Sequence, residues 1–178
     1  MTNIESGAFN ECKSLTSVKI SNKITSIEDR TFQSCSGLTS ITIPENVTSI
    51  GNNAFSGCNS LTKLTIPQSV TSIGEEAFIG CYRLTSVKIG DGVTSIGGYA
   101  FYECSGLTSV TIGNKVKTIG ERAFQYCIGL VSITIPHNVT NIEEYAFEYC
   151  NSLTSVTIDN TQRILEKELL KNVAGYPT

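Results

Sequence analysis

Apolar and polar positions along this chain repeat in register every 23 residues. Framed at its leucine, the unit reads L-T-S-[VI]-T-I-x-x-x-V-T-S-I-G-x-x-A-F-x-x-C-x-x. Leu15, Leu38, Leu61, Leu84, Leu107, Leu130 and Leu153 are in phase, and so are the isoleucines from Ile20 to Ile158. A fixed period of this length marks a solenoid of stacked coils. One unit cannot bury its own apolar face and must lay it on its neighbours.

Within a unit the pattern predicts two short extended segments and one compact turn. The segment L-T-S-V-T-I is β-branched, and Pro44, Pro67 or Pro136 ends it in three units by removing a ladder donor. V-T-S-I reads as a second short strand. In G-x-x-A-F-x-x-C, the spacing of Ile73, Ala77, Phe78 and Cys81 places all four on one face of a helical turn. Glu75, Glu76 and Glu121 gather at the start of that turn, where negative charge suits the positive end of a helix. Gly51, Gly74, Gly97 and Gly120 read as turn residues, but Glu28 and Glu143 hold the same phase, so a positive φ is not obligatory there.

The expected architecture is therefore a solenoid of stacked 23-residue units, with a parallel β-sheet on one face and short helical or 3-10 turns on the other. Six full units run from residue 15 to 152, with half units at each end, so the solenoid covers residues 1–158. Residues 159–178 break the repeat. Asp159, Asn160 and Thr161 offer capping side chains, and Ile164, Leu165, Leu169, Leu170 and Val173 form an apolar stripe. These features predict a C-terminal helical cap over the last coil.

Composition narrows the function classes. A net charge of −3 and a pI near 5.2 argue against the basic face of a nucleic-acid binder. No apolar run approaches the roughly 18 residues of a membrane-spanning helix, so no membrane insertion is expected. Met1 to Glu5 show neither the basic stretch nor the apolar core of a signal peptide. The repeat is entered midway, at Thr2, as expected of a fragment of a longer array.

All seven phenylalanines lie three residues before one of the seven cysteines, from Phe9 and Cys12 to Phe147 and Cys150. A straight row of parallel thiols lies beyond the ~3.8 Å Cβ separation of a disulfide and cannot make a tetrahedral metal shell. The seven are expected to be reduced and buried, acting as small apolar residues. His137 is the single histidine, so no serine has an activating base. No catalytic, cofactor-binding or metal-ligating residues are assigned, and the chain does not read as an enzyme. Asn46-Val47-Thr48 and Asn138-Val139-Thr140 match the glycosylation sequon as by-products of the repeat.

Candidate chemistry is confined to the surface. Outward strand positions form a Ser/Thr array interrupted by Lys19, Lys63 and Lys88. That array suits a glycan or an ice lattice, with the lysines meeting an acidic glycan. On the turn side, Tyr99, Arg122 and Tyr145 are successive occupants of one column, and Tyr126 and Tyr149 of another. An arginine between two tyrosines can stack on both. Tyrosine and arginine are the residue types that anchor protein interfaces.

The unit L-T-S-[VI]-T-I-P-x-x-V-T-S-I-G-x-x-A-F-x-x-C resembles the BspA-type leucine-rich repeat, and the match runs from residue 2 to about 158. The resemblance implies a surface or secreted protein of anaerobic bacteria or protozoan parasites. It implies adhesion to host matrix proteins, cells or receptors, without catalysis. The family has no fixed binding residues to carry over. The leading expectation is a protein-binding module for cell-surface adhesion or host interaction. A structural spacer or scaffold without its own ligand, and a glycan or ice binder using the Ser/Thr strand face, are the alternatives.

Overall fold

A computed structural model describes residues 3–159. They form a β-solenoid of about six turns. Each turn contributes two short strands: β1 (Ser17–Lys19) and β2 (Ser26–Ile27), then β3 (Ser40–Thr42) and β4 (Ser49–Ile50), β5 (Lys63–Ile66) and β6 (Ser72–Ile73), β7 (Ser86–Ile89) and β8 (Ser95–Ile96), β9 (Ser109–Thr111) and β10 (Thr118–Ile119), β11 (Ser132–Ile135) and β12 (Asn141–Ile142). β13 (Ser155–Ile158) closes the series. Every pairing is parallel and displaced by one repeat, as Ser17 opposite Ser40, Lys63 opposite Ser86 and Ser132 opposite Ser155 show.

The even-numbered strands make one sheet, β12-β10-β8-β6-β4-β2. The odd-numbered strands make three: β1-β3, β5-β7-β9 and β11-β13. Where the ladder lapses between β9 and β11, the core side chain is less covered: Val110 is 9% exposed against 3% for Val87 in the same phase.

Stacking places like on like. The rings from Phe9 to Phe147 form one column, with successive centroids 5.1–5.3 Å apart and planes within 14°. Such offset stacks add roughly 0.5–1.5 kcal/mol per pair beyond area burial. Thr31 stands in the column held elsewhere by Ala54, Ala77 and Ala100, and it is fully buried. Its hydroxyl is satisfied by the Glu28 carbonyl at 2.7 Å.

The repeated threonines tie coil to coil. Thr39 donates to the Thr16 carbonyl and Thr108 to that of Thr85, each at 3.1 Å. In the second segment Thr71 and Thr94 donate to Thr48 and Thr71 at 3.0 Å. The sequon asparagines do the same: Asn46 Nδ2 donates to the Asn22 carbonyl and Asn138 Nδ2 to that of Asn114, each at 2.6 Å.

The third segment departs from expectation: no helix occurs among the described residues. Its amides alternate in direction instead of running up a helix. The Asn53, Phe55 and Gly57 amides donate to the carbonyls of Glu75, Ala77 and Ile79 in the next coil. The Ser56 and Cys58 amides donate three residues back, to Asn53 and Phe55. Half the donors of a helical turn are thus taken by the neighbouring coil, and left-handed residues supply the reversals. The acidic residues accordingly meet no helix terminus. Asp29 Oδ1 accepts the Asn52 amide at 2.7 Å, and Glu143 Oε2 accepts that of Glu121 at 2.9 Å. Gly74 and Gly97 answer to close approach and not to φ, since a Cβ there would stand 2.6 Å from backbone of the preceding coil.

Six of the cysteines, from Cys35 to Cys150, are buried, but Cys12 is exposed. Each buried thiol donates to a phenylalanine carbonyl of the preceding coil, as Cys58 does to Phe32 at 3.2 Å and Cys81 to Phe55 at 3.3 Å. Burial pushes the Cys104 and Cys127 thiols up and carries Cys150 to about 12. For Cys81 the hydrogen bond with the Cys104 thiol raises it first and burial second. The expected C-terminal helical cap, with Ile164, Leu165, Leu169 and Leu170, lies outside the described residues.

A candidate interaction surface on the turn face

Two columns of the turn segment adopt left-handed backbone in coil after coil. One holds Gly7, Arg30, Asn53, Glu76, Tyr99, Arg122 and Tyr145, with φ between 53° and 66°. The other, four residues on, holds Glu11, Ser34, Gly57, Gly80, Glu103, Tyr126 and Tyr149, with φ between 57° and 70°. All five of the expected turn-side contact residues therefore occupy positions where glycine is the unstrained choice.

The structure brings these five into one surface. The Arg122 guanidinium carbon lies 5.4 Å from the Tyr99 ring centroid and 4.9 Å from that of Tyr145. Its Nη1 also donates to the Tyr99 hydroxyl, and to Glu121 Oε1 at 2.6 Å. The Tyr99 hydrogen bond raises the Arg122 pKa, with Glu121 adding to it, so the side chain is a fixed cation. In the second column Tyr126 and Tyr149 stack with centroids 4.7 Å apart and planes 13° apart.

Tyr102 joins the columns. Its ring is 5.5 Å from Tyr99, tilted, and 5.5 Å from Tyr126, edge-on. The result is a continuous run from Tyr145 through Arg122, Tyr99 and Tyr102 to Tyr126 and Tyr149. Tyr102 was recognisable from the sequence as an aromatic in the turn, but its bridging role depends on where two coils meet. Tyr126, Tyr145 and Tyr149 remain 36–40% exposed, and Tyr82, at 47%, sits beside Glu103 with its hydroxyl 3.3 Å from Oε2. Burial first and Glu103 second raise the pKa of both Tyr82 and Tyr102, so both stay neutral phenols.

The lysines lie elsewhere. Lys19 on β1, Lys63 on β5 and Lys88 on β7 are exposed on the strand face. Lys63 and Lys88 occupy adjacent strands, with Lys63 opposite Ser86 and Lys88 opposite Thr65. Lys19 belongs to a different sheet. Among the described residues no group of three or more His, Cys, Asp or Glu side chains is placed to hold a metal ion.

A family model described as the BspA type leucine rich repeat region matches residues 2–129 and 71–175. A crystallised leucine-rich repeat protein from Bacteroides ovatus is 36% identical, with a TM-score of 0.81. The match covers 85% of this chain and 39% of that one, so this chain spans well under half the length of that relative. A T. pallidum leucine rich repeat protein, 23% identical with a TM-score of 0.59, shares the fold over 85% of this chain and 84% of its own. No curated protein matches the chain.

Proposed function

The chain belongs to the BspA-type leucine-rich repeat family, and from that premise we propose that it is a non-catalytic protein-binding module for adhesion or host interaction, displayed at a cell surface or secreted, that docks its partner on the tyrosine face. One observation carries this reading. Coils that hold Gly7, Gly57 and Gly80 at the left-handed positions show that the fold accepts glycine there. The later coils instead place Tyr99, Arg122, Tyr145, Tyr126 and Tyr149 at those positions. A side chain in left-handed backbone costs about 1–2 kcal/mol per residue. Six other side chains, from Glu11 to Glu103, bear the same cost, so what sets the later coils apart is the exposed aromatic area placed there, which we read as a contact surface beyond the fold. The tyrosines supply rigid amphipathic area with little entropy to lose.

The test is solid-phase binding to a panel of purified extracellular matrix proteins. Saturable binding to at least one, weakened about tenfold or more by Tyr126→Ala/Tyr149→Ala, is the expected result. Binding to none would favour the spacer reading. Binding that survives the double substitution returns the site to the strand face.

Lys63 and Lys88 on adjacent strands support a second reading, an acidic glycan held on the strand face. It predicts loss of a sulfated glycan on Lys63→Ala/Lys88→Ala with no response to the tyrosine variants. The ice reading is weaker, since Lys19, Lys63 and Lys88 interrupt the hydroxyl lattice of the strand face.

A further inference from the structure

The tyrosine face has a definite charge. In the turn segments 97–106, 120–129 and 143–152, Glu103, Glu121, Glu143, Glu144 and Glu148 stand against a single cation, Arg122. That cation is already spoken for by Glu121 and by the two rings it touches. Glu103 borders the Tyr82 hydroxyl, and Glu148 is held beside the second column by Gln125. Glu103 precedes Tyr126 by one coil in the same column and Glu148 adjoins Tyr149 in sequence, so carboxylate-bearing residues border the exposed pair. Among the described residues Arg122 is the cation that lies over rings, and it covers Tyr99 and Tyr145, not this pair.

We infer that the face recognises a basic, arginine-bearing segment of a partner protein, with a guanidinium stacked on the Tyr126–Tyr149 column and paired to the bordering carboxylates. This rests on the docking reading above and gives the partner its chemistry. Arg122 is the internal template, because its planar guanidinium lies against two tyrosine rings one coil away on either side, with a carboxylate 2.6 Å from it. A planar, weakly hydrated guanidinium stacks on a ring where a hydrated ammonium does so less well. An acidic or phosphorylated segment would meet only repulsion here.

The experiment titrates the intact chain with three synthetic eight-residue peptides: alternating Arg and Gly, Lys and Gly, and Glu and Gly. Calorimetry gives affinity, and ring proton shifts of the tyrosines give location. The arginine peptide should bind about fivefold or more tighter than the lysine peptide, in line with the extra stacking of a guanidinium. The glutamate peptide should not bind. Tyr126→Ala/Tyr149→Ala should abolish the arginine preference. Glu103→Gln/Glu148→Gln, which keeps every ring, should weaken binding severalfold and flatten its salt dependence. Thermal unfolding of each variant confirms the fold. Equal binding of the lysine and arginine peptides, or an arginine preference untouched by the tyrosine pair, overturns the inference. So does failure of all three peptides. If matrix-protein binding still depends on Tyr126 and Tyr149 in that case, the docking surface stands and only the assigned chemistry falls.

Discussion

Replacing Glu76 by glycine should stabilise the protein. Glu76 has φ 55° and occupies the same column as Gly7. Left-handed backbone costs a residue with a Cβ about 1–2 kcal/mol. Glycine escapes that cost but adds about 0.4–1 kcal/mol of unfolded-state entropy. The difference predicts a net gain of roughly 0.5–1 kcal/mol. Crowding does not decide the matter: in the companion column, a Cβ added at Gly57 or Gly80 would approach nothing closer than 3.5 Å. The reverse change, Gly80→Ala, should therefore cost a similar amount through φ alone. Tyr126→Gly separates fold from surface. It gains the same backbone relief and loses a ring stack on Tyr149 worth about 0.5–1.5 kcal/mol. Its stability should then stay within about 1 kcal/mol of the parent while its aromatic surface is gone. Urea unfolding followed by circular dichroism, with midpoints compared at constant slope, measures all three. If Glu76→Gly destabilises and Gly80→Ala is neutral, the left-handed cost is not what these positions carry, and the argument for the tyrosine face loses its footing.

Other outcomes follow from the thiol column. With one exposed and six buried cysteines, a maleimide should label one thiol, Cys12, in the native protein and seven after unfolding; rapid native labelling of several would contradict the ladder. The buried thiols also make stability fall at alkaline pH. Below the ordinary value of 9.0 both states hold their protons and stability is full; above it the unfolded thiol ionises while folded Cys150 holds its proton to about 12. At pH 10 that withdraws on the order of 1 kcal/mol for this residue. Cys150→Ala should shrink the shift in urea midpoint between pH 8 and pH 10, and an unchanged shift would show that other groups govern it.

The coil period, the identity of the core columns and the parallel stacking were all legible in the sequence. Each is a matter of phase: Leu, Ile, Phe and Cys recurring at fixed offsets can be buried together only by coils laid in register. The pairing of Arg122 with Tyr99 and Tyr145 was legible for the same reason, since a column position in sequence is a neighbour in space. The turn segment was not. Ile73, Ala77, Phe78 and Cys81 keep the spacing of a helical face, but spacing reports which side chains point inward and is silent on where the amides bond. The next coil offers the Asn53, Phe55 and Gly57 amides a carbonyl, and that competition replaces the helix with left-handed reversals. The exposure of Cys12 and the junction of the two aromatic columns at Tyr102 depend on which surfaces a neighbouring coil covers. Only the stacked structure decides that, because a repeat written identically along the chain is not covered identically along the rod.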